Sequence, residues 1–348
     1  MRQAIRFSLL SAAAIAIAAA LGAPAQAAVP ASVRAQWEAF ILPEKPPVPK
    51  ANPMTPAKVE LGRQLYFDPR LSSTGKVSCN SCHDVMAGGE DNRATSLGVF
   101  GKTGGRSAPT VWNSAFLSVQ FWDGRAASLE EQAKGPMVNP VEMGNPNHDV
   151  VVKRLAGIPG YVKQFDAVYG KNSLNIDNVA KAIAAYERTL VTPNSAFDRY
   201  VKGDEKALTP AAKRGMDLVQ QLGCISCHSG QNFSGPPMPE GTGFYQRFPR
   251  IPSAYDAKYQ LKKDLGRYEA TRTESDRHMW RVPTWRNVAK TAPYFHNGSV
   301  KTLDEAVRVM AKSQLNTTLT DGQTKDIVAF LSSLTGEFPK QKAPKLPV

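Results

Sequence analysis

The sequence predicts a mainly α-helical protein made of two similar domains in tandem. A Thr-Pro pair, which favours the start of a helix, precedes a glycine-containing helical stretch at residues 55–65 and again at residues 209–222. Apolar residues recur at helical spacing at residues 177–191 and 322–334. No stretch has the sustained alternation of β-strands, and 348 residues are enough for two domains.

The N-terminus has the pattern of a secretory signal peptide. A basic start precedes an apolar run from Phe7 to Leu21 and the small-residue pattern Ala25-Gln26-Ala27. The run is about 15 residues long, whereas a membrane-spanning helix needs about 20. We therefore expect residues 1–27 to be removed and the protein to be exported to the periplasm. An uncleaved leader that tethers the protein to the membrane is the alternative.

The mature chain is expected to divide into residues 28–200 and residues 201–348. A short helix at residues 33–42 leads into a Pro-rich, extended segment. Three further helices are expected before the domain boundary, at residues 150–155, 161–169 and 177–191. Asp177 is the expected N-cap of the third. The tail at residues 338–348, rich in Lys and Pro, is expected to be loosely held.

All four cysteines belong to two Cys-x-x-Cys-His motifs, Cys79-Asn80-Ser81-Cys82-His83 and Cys224-Ile225-Ser226-Cys227-His228. Two thiols at this spacing can bind both vinyl groups of one haem, and the adjacent His can then reach the iron. A zinc site shared by the two Cys pairs is the alternative, but it would not need a His after each pair. The motifs therefore predict two covalently bound c-type haems, one in each cytochrome c-like domain.

The axial ligands are expected to differ between the two haems. An electron-transfer haem has two strong axial ligands, and Met310, just before the closing helix, is a candidate partner for His228, with Met279 as its competitor. No clear second ligand accompanies His83, so its iron is expected to be open to a small oxygen species. Glu142 is a candidate proton carrier there, although an isolated Glu is usually a solvated surface residue.

The formal net charge is +13, and its distribution excludes one class of partner. The Lys and Arg residues are dispersed, with no basic run that alternates with aromatic residues, so we expect no nucleic-acid binding. A basic surface can attract an acidic redox partner or anionic lipid, or it can serve solubility alone.

Several segments in the same order resemble those of the bacterial dihaem cytochrome c peroxidases, which are related to the MauG group. Besides the two Cys-x-x-Cys-His motifs, these are Phe-Trp-Asp-Gly-Arg at residues 121–125, Asn-Pro-Val-Glu-Met-Gly at 139–144 and Pro-Tyr-Phe-His-Asn-Gly at 293–298. The resemblance extends over about residues 35–335. It implies an enzyme, often a homodimer, that reduces hydrogen peroxide to water with electrons from a small periplasmic cytochrome c or cupredoxin.

The resemblance also implies roles for single residues. The first domain would carry the peroxidatic haem with His83 as proximal ligand, and the second would carry the electron-transfer haem. The axial pair of the second haem would be His228 and Met310, because Met310 stands where the family has its Met ligand. Trp122 would lie between the haems as an electron route. Glu142 would be the acid–base residue, with Gln132 as a polar partner.

The chain departs from the family pattern at two positions. The resemblance implies one calcium ion, bound by an Asn side chain and by two backbone carbonyls that correspond to Thr291 and Pro293. Ser107, a weaker ligand, replaces the Asn. Many members also have a distal His that blocks the peroxidatic iron until the other haem is reduced, and Val99 stands at that position. We therefore expect an open first haem that needs no reductive activation.

Three other functions stay open at this point. The first is a MauG-like oxidase that modifies a partner protein, and the second is a dihaem electron carrier without catalysis. The third is a peroxide sensor. MauG has Tyr where this chain has Met310, so Met310 favours the peroxidase.

Overall fold

Helices and the loops between them make up nearly all of the computed structural model, which describes residues 29–348. The signal peptide expected at residues 1–27 lies outside this range. Within it are thirteen α-helices: α1 Ala31–Trp37, α2 Pro56–Phe67, α3 Cys79–Cys82, α4 Leu129–Val138, α5 His148–Ala156, α6 Pro159–Tyr169, α7 Ile176–Glu187, α8 Ala196–Val201, α9 Pro210–Gln221, α10 Ala254–Lys258, α11 Tyr268–Thr271, α12 Leu303–Leu315 and α13 Asp321–Ser333. The predicted mainly α-helical class is confirmed.

The described strands form one small antiparallel pair. Strand β1, Tyr245–Arg247, lies against β2, Met279–Arg281, with Gln246 opposite Trp280. None of the helices in residues 29–348 has the length and apolar character needed to cross a bilayer.

The two Thr-Pro pairs start helices as predicted. The hydroxyl oxygen of Thr55 accepts a hydrogen bond from the backbone N–H of Lys58 at 3.2 Å, which caps α2. The hydroxyl oxygen of Thr209 accepts one from Ala212 at 3.1 Å, which caps α9. In both helices a Pro occupies the first position, where its missing N–H costs no hydrogen bond.

Each of these helices crosses another helix at a glycine. A Cβ added at Gly62 of α2 would overlap the carbonyl oxygen of Ala182 in α7. A Cβ added at Gly215 of α9 would overlap the carbonyl oxygen of Asp326 in α13. Only glycine permits the two backbones to approach so closely. The two halves of the described chain therefore share one helix-packing arrangement, in each case with the first helix of the pair ahead of a Cys-x-x-Cys-His motif.

A second repeated element is a tight hairpin. Gln120 and Ala126 pair in the first domain as Tyr294 and Val300 do in the second. In each hairpin a Phe with positive φ, 67° at residue 121 and 70° at residue 295, begins the turn. Trp122 and His296 consequently occupy equivalent places, so the duplication extends well beyond the helix and motif visible in the sequence.

One threonine accepts a hydrogen bond from an asparagine of each half of the chain, and the two asparagines occupy corresponding positions. The side-chain amides of Asn113 and Asn287 both donate to the hydroxyl oxygen of Thr192, each at 2.8 Å. All three residues are buried. The shared acceptor fixes the two repeated loops relative to one another.

Several details of the prediction were wrong. The N-cap of α7 is Asn175, whose side chain accepts from the backbone N–H of Asn178 at 2.9 Å, and Asp177 lies inside the helix. Helix α4 was not predicted, because Gly135 and Pro136 near its end are residues that disfavour helix interiors. Ser128 caps this helix.

The C-terminal tail is held against the first domain, contrary to the expectation of a loosely held segment. The ring of Phe338 packs edge-on against Trp112 with ring centres 5.0 Å apart. The carbonyl oxygen of Val348 accepts a hydrogen bond from Gly160 at 2.9 Å. At the other end, Trp37 and Phe197 pack into the core of the second domain, so both chain ends cross the predicted division at residue 200.

The crossing at Gly215 yields a stability prediction. Gly215→Ala is expected to lower the free energy of unfolding by about 1–3 kcal/mol, because the new methyl group forces α9 and α13 apart. Gly322→Ala in the first turn of α13 is the control, since its Cβ would meet nothing closer than the Thr320 hydroxyl at 3.9 Å. Guanidinium denaturation followed by far-ultraviolet circular dichroism measures both. Equal stability of the two variants would contradict the prediction.

Candidate functional site

The first Cys-x-x-Cys-His motif forms one short helical turn with a fixed imidazole behind it. Residues 79–82 make up α3, and the hydroxyls of Ser78 and Ser81 form a capping box at its start. Nδ1 of His83 lies 2.9 Å from the carbonyl oxygen of Pro109. Because a carbonyl only accepts, Nδ1 carries the proton and Nε2 has its lone pair available. Burial lowers the pKa of His83, which favours this neutral form.

The second motif repeats this arrangement. Nδ1 of His228 lies 3.0 Å from the carbonyl oxygen of Phe233, so Nε2 is again the available nitrogen. The ring stacks on Trp285 with centres 4.2 Å apart and planes 19° from parallel. Burial lowers the pKa of His228 to about 4. A hydrogen bond from the second ring nitrogen to a carbonyl is the usual support of a metal-bound His.

A large, mostly apolar cavity opens beside the second motif. Its empty space, including the part open to solvent, is about 1760 Å³. Residues lining it include Cys224, Cys227, His228 and Met310. Met310 lies in α12, whereas its competitor Met279 lies in β2 and is not among the lining residues. The structure thus brings Met310, and not Met279, to the same cavity as His228.

The donor groups at both motifs fit a covalently bound haem. All four thiols are free of disulfides. Both motifs supply the two thiols and the imidazole with an available Nε2 that such a haem needs, and the second adds an apolar cavity wall and a thioether. Across residues 29–348 no three His, Cys, Asp or Glu side chains converge as a metal-binding group, which argues against a zinc site shared by the two Cys pairs.

Glu142 lies in the turn that follows α4. Its carboxylate accepts a hydrogen bond from the side-chain amide of Asn139 at 2.8 Å. Burial raises the pKa of Glu142, and the positive charge of Arg125 opposes that rise. The carboxyl group is therefore partly desolvated and held in one orientation, unlike the solvated surface Glu that the bare sequence favours.

The segment at residues 96–99 links Glu142 to the first motif. The backbone N–H of Val99 donates to the carbonyl oxygen of Glu142 at 2.8 Å, and the Val99 side chain is buried. A Cβ at Gly98 would overlap the carbonyl oxygen of Val141. Burial raises the pKa of the Cys82 thiol to about 11, and Glu142 is one of two nearby negative charges that add to this rise. The structure thus places Val99, Glu142 and Cys82 together.

Trp122 lies in the wall of the cavity beside the second motif. Its indole N–H donates to the carbonyl oxygen of Ser107 at 2.8 Å, which holds the ring in place. Gln132 lies in α4 and is half-buried. Its side chain makes no hydrogen bond within the described part of the chain.

Ser107, Thr291 and Pro293, the three positions expected to bind calcium, line this same cavity. The Ser107 hydroxyl donates only weakly, to the carbonyl oxygen of Arg93 at 3.5 Å. No donor among residues 29–348 reaches the carbonyl oxygen of Thr291 or of Pro293. Two carbonyls without a donor and a weakly hydrogen-bonded hydroxyl thus line one cavity.

Sequence reasoning missed the aromatic residues that support the imidazoles. Trp285 stacks on His228, and Trp280 stacks on His296 with ring centres 4.2 Å apart. The sequence does contain a signal for Trp285, because Pro-Thr occurs at residues 109–110 and again at 283–284. The repeat places Trp285 in the loop that corresponds to the one whose Pro109 carbonyl accepts a hydrogen bond from His83.

Known proteins share both the sequence and the architecture. The family model of the di-haem cytochrome c peroxidases matches residues 56–206. The chain is 44% identical over 308 residues to the cytochrome c551 peroxidase of Pseudomonas aeruginosa, with 88% of this chain and 86% of that protein covered. The cytochrome c551 peroxidase of Nitrosomonas europaea is 42% identical over 301 residues, 86% of each chain.

A solved structure gives the same result at the level of the fold. A MauG-like protein associated with microbial copper homeostasis superposes with a TM-score of 0.74 at 28% identity, over 86% of this chain and 94% of that one. The identities above 40% cover most of the chain and of its relatives. With its two Cys-x-x-Cys-His motifs held by equivalent helix pairs, this protein belongs to the di-haem cytochrome c peroxidase family.

Proposed function

We propose that this protein reduces hydrogen peroxide to water with electrons from a small periplasmic redox protein of the cytochrome c or cupredoxin class. The observation that carries the proposal is the half-buried carboxyl of Glu142, held by Asn139 near the first Cys-x-x-Cys-His motif. Relatives at 42% and 44% identity are named cytochrome c551 peroxidases, which supports the same activity.

Two covalently bound haems would supply the redox chemistry, namely peroxide cleavage at the first and electron uptake at the second. Cys79 and Cys82 would hold the first haem, with His83 as its axial ligand. The second haem would be held by Cys224 and Cys227, with His228 and Met310 as axial ligands. The fixed Nδ1 of each His presents Nε2 for this purpose.

Glu142 would move the proton that peroxide cleavage requires. One oxygen of the substrate must lose a proton and the other must gain one, and a single carboxyl group can do both in turn. Burial raises the pKa of Glu142 toward the range in which a carboxyl exchanges protons readily. The amide of Asn139 holds one carboxyl oxygen, so the other is free to face the substrate. Gln132 would serve as a polar partner from α4.

Trp122 would carry electrons between the two domains. Its indole lines the cavity of the second motif, and its N–H is bound to Ser107 in the segment that precedes Pro109. Pro109 in turn accepts the hydrogen bond of His83. The Trp122 indole is therefore in contact with the cavity beside His228 and, through Ser107, with the segment that holds His83.

The first haem would be open at its sixth position in the oxidised protein. Val99 occupies the place where a blocking His would stand, and its side chain has no atom that binds iron. Its backbone is held against Glu142, so the segment is closed over the acid–base residue rather than away from it. Peroxide would react without prior reduction of the protein.

The MauG-like alternative is an oxidase that acts on a partner protein, and an open first haem would suit it as well. Met310 favours the peroxidase, since it provides the second haem with a ligand typical of electron transfer. We further propose export to the periplasm after removal of residues 1–27, a homodimer, and a calcium ion at Ser107, Thr291 and Pro293.

Glu142→Gln tests the acid–base assignment. The amide cannot take up and return a proton, so we expect peroxide turnover to fall by about 10²–10⁴-fold while both haems are retained. Steady-state oxidation of a reduced cytochrome c measures turnover. Glu131→Gln, an exposed carboxylate on α4 paired with Lys134, is the matched control and should stay within twofold. Near-normal turnover of Glu142→Gln would remove Glu142 from the mechanism.

Electron paramagnetic resonance of the oxidised protein tests the open site. We expect one high-spin and one low-spin haem. Val99→His should convert the high-spin signal to low-spin and make peroxide turnover dependent on prior reduction, whereas Val99→Ala, which adds no ligand, should keep the high-spin signal. Two low-spin haems in the unaltered oxidised protein would contradict the proposal.

Intact-protein mass spectrometry tests covalent attachment. The mature chain should begin at Ala28 and exceed its polypeptide mass by two haems. Replacing Cys79 and Cys82 together by Ala should remove one haem, and replacing Cys224 and Cys227 together should remove the other. A mass without haem, or one that accounts for bound zinc, would overturn the assignment of both motifs.

A further inference from the structure

Arg281 is a buried cation without a counter-charge in residues 29–348. It is 5% exposed, and it forms no ion pair with any Asp or Glu of that range. Its Nε donates to the carbonyl oxygen of Phe121 at 3.1 Å, and Nη1 donates to that of Val282 at 3.2 Å. A guanidinium stays charged at neutral pH, and a buried charge without a partner is costly. Burial accordingly lowers the pKa of Arg281 to about 10.

The carboxylate of Asp123 acts on Arg281 only from a distance, because two other arginines bind it. Its charge opposes the fall in the pKa of Arg281. Arg106 lies 2.5 Å and Arg125 lies 3.0 Å from the Asp123 oxygens. Asp123 is therefore already neutralised, and the described chain offers Arg281 no negative charge of its own.

Arg281 lines the large cavity beside the second Cys-x-x-Cys-His motif, together with His228 and Met310. Among the described residues that line this cavity it is the only one with a permanent charge, since no Asp, Glu or Lys is present there. The proposed function places the second haem in this cavity. A haem carries two propionate carboxylates on an otherwise apolar ring, so it matches a cavity that is apolar except for one unpaired cation.

We propose that Arg281 binds a propionate of the second haem and so positions that haem and raises its reduction potential. A guanidinium binds a carboxylate best through two parallel N–H···O bonds. Both hydrogens of Nη2 and the second hydrogen of Nη1 remain available for them, because only Nε and one Nη1 hydrogen are used within the described chain. The inference rests on the proposed function for the place of the haem, but not on the reaction with peroxide.

The backbone around Arg281 connects this carboxylate site to Trp122. The backbone N–H of Arg281 donates to the carbonyl oxygen of Trp122 at 2.9 Å, and its Nε holds the carbonyl of Phe121. A propionate bound by Arg281 is therefore fixed relative to the hairpin that carries Trp122. The positive charge also disfavours the oxidised iron, which has one more positive charge than the reduced iron. Without Arg281 the propionate would be unpaired, and the reduction potential of the second haem would fall.

Spectroelectrochemical titration of the purified dihaem protein tests the proposal. At the midpoint potential of the unaltered second haem, the ratio of oxidised to reduced haem should rise at least tenfold in Arg281→Met, which removes the charge. For a one-electron couple, tenfold corresponds to a fall of about 59 mV. Arg281→Lys, which keeps the charge, should keep the ratio within threefold of the unaltered protein.

Arg247→Met is the matched control, because it removes the same charge from the adjacent strand β1. Arg247 is exposed and donates to the backbone carbonyls of Ser275 and Arg277, so the ratio should stay within twofold. The absorption band of a Met-ligated haem iron, recorded for each variant, checks that Met310 still binds the iron.

An anion from solution is the other source of a negative charge for Arg281. Arg281 also lines a smaller cleft, together with Leu117 and Phe244. Titration of the unaltered protein with sodium phosphate at constant ionic strength separates the two sources. We expect no change in the midpoint potential of the second haem, because the propionate already occupies the guanidinium.

Three results would overturn the inference. An unchanged potential in Arg281→Met would leave Arg281 with a role in folding alone. A tenfold or larger change in Arg281→Lys would mean that side-chain shape, rather than charge, matters. A phosphate-dependent potential of the unaltered protein would assign the guanidinium to an anion from solution. The last two results do not require Arg281→Met to fold. No peroxide is present in these titrations, so a failed peroxidase proposal and a failed role for Arg281 give different results.

Discussion

The close helix crossings at Gly62 and Gly215 are the constraint on which both domains depend. At each crossing a backbone carbonyl of the second helix occupies the space where any side chain would begin. The crossing fixes the packing of α2 and α9, the helices that precede the two Cys-x-x-Cys-His motifs in the chain. Because the same contact occurs twice, each half places its Cys-x-x-Cys-His motif after an equivalent helix pair, although few residues are shared between the halves.

The two imidazoles are then held in the same way by different loops, because the accepting carbonyl belongs to Pro109, far along the chain from His83, but to Phe233, close after His228. A backbone carbonyl accepts from Nδ1 in each case, which orients the ring and leaves Nε2 available. The differences begin beyond that shared support. The second motif faces an apolar cavity with Met310 in its wall, whereas the first lies near a half-buried carboxyl, Glu142, and an aliphatic side chain, Val99. That contrast supports the proposal of one electron-transfer site and one reactive site.

Local patterns in the sequence predicted local structure well. The Thr-Pro pairs, the amphipathic stretches and the motif spacing concern residues that are close in the chain, and the helices they predicted are present. The prediction failed where two nearby residues could each cap a helix, and where tertiary packing outweighs a low local helix preference. Asn175 caps α7 in place of Asp177, and α4 forms although Gly135 and Pro136 disfavour it, because Leu129, Ala133 and Met137 bury one of its faces.

The sequence by itself determined which thiols and imidazoles are adjacent, since that depends only on chain order. Tertiary structure decided what surrounds them, because those contacts join residues that lie far apart in the chain. No spacing rule predicts that Trp285 stacks on His228 or that one threonine accepts from an asparagine of each half. The close approach of Gly88 to the carbonyl oxygen of Lys290 is of the same kind, because packing between residues far apart in the chain, rather than any local preference, brings the two together.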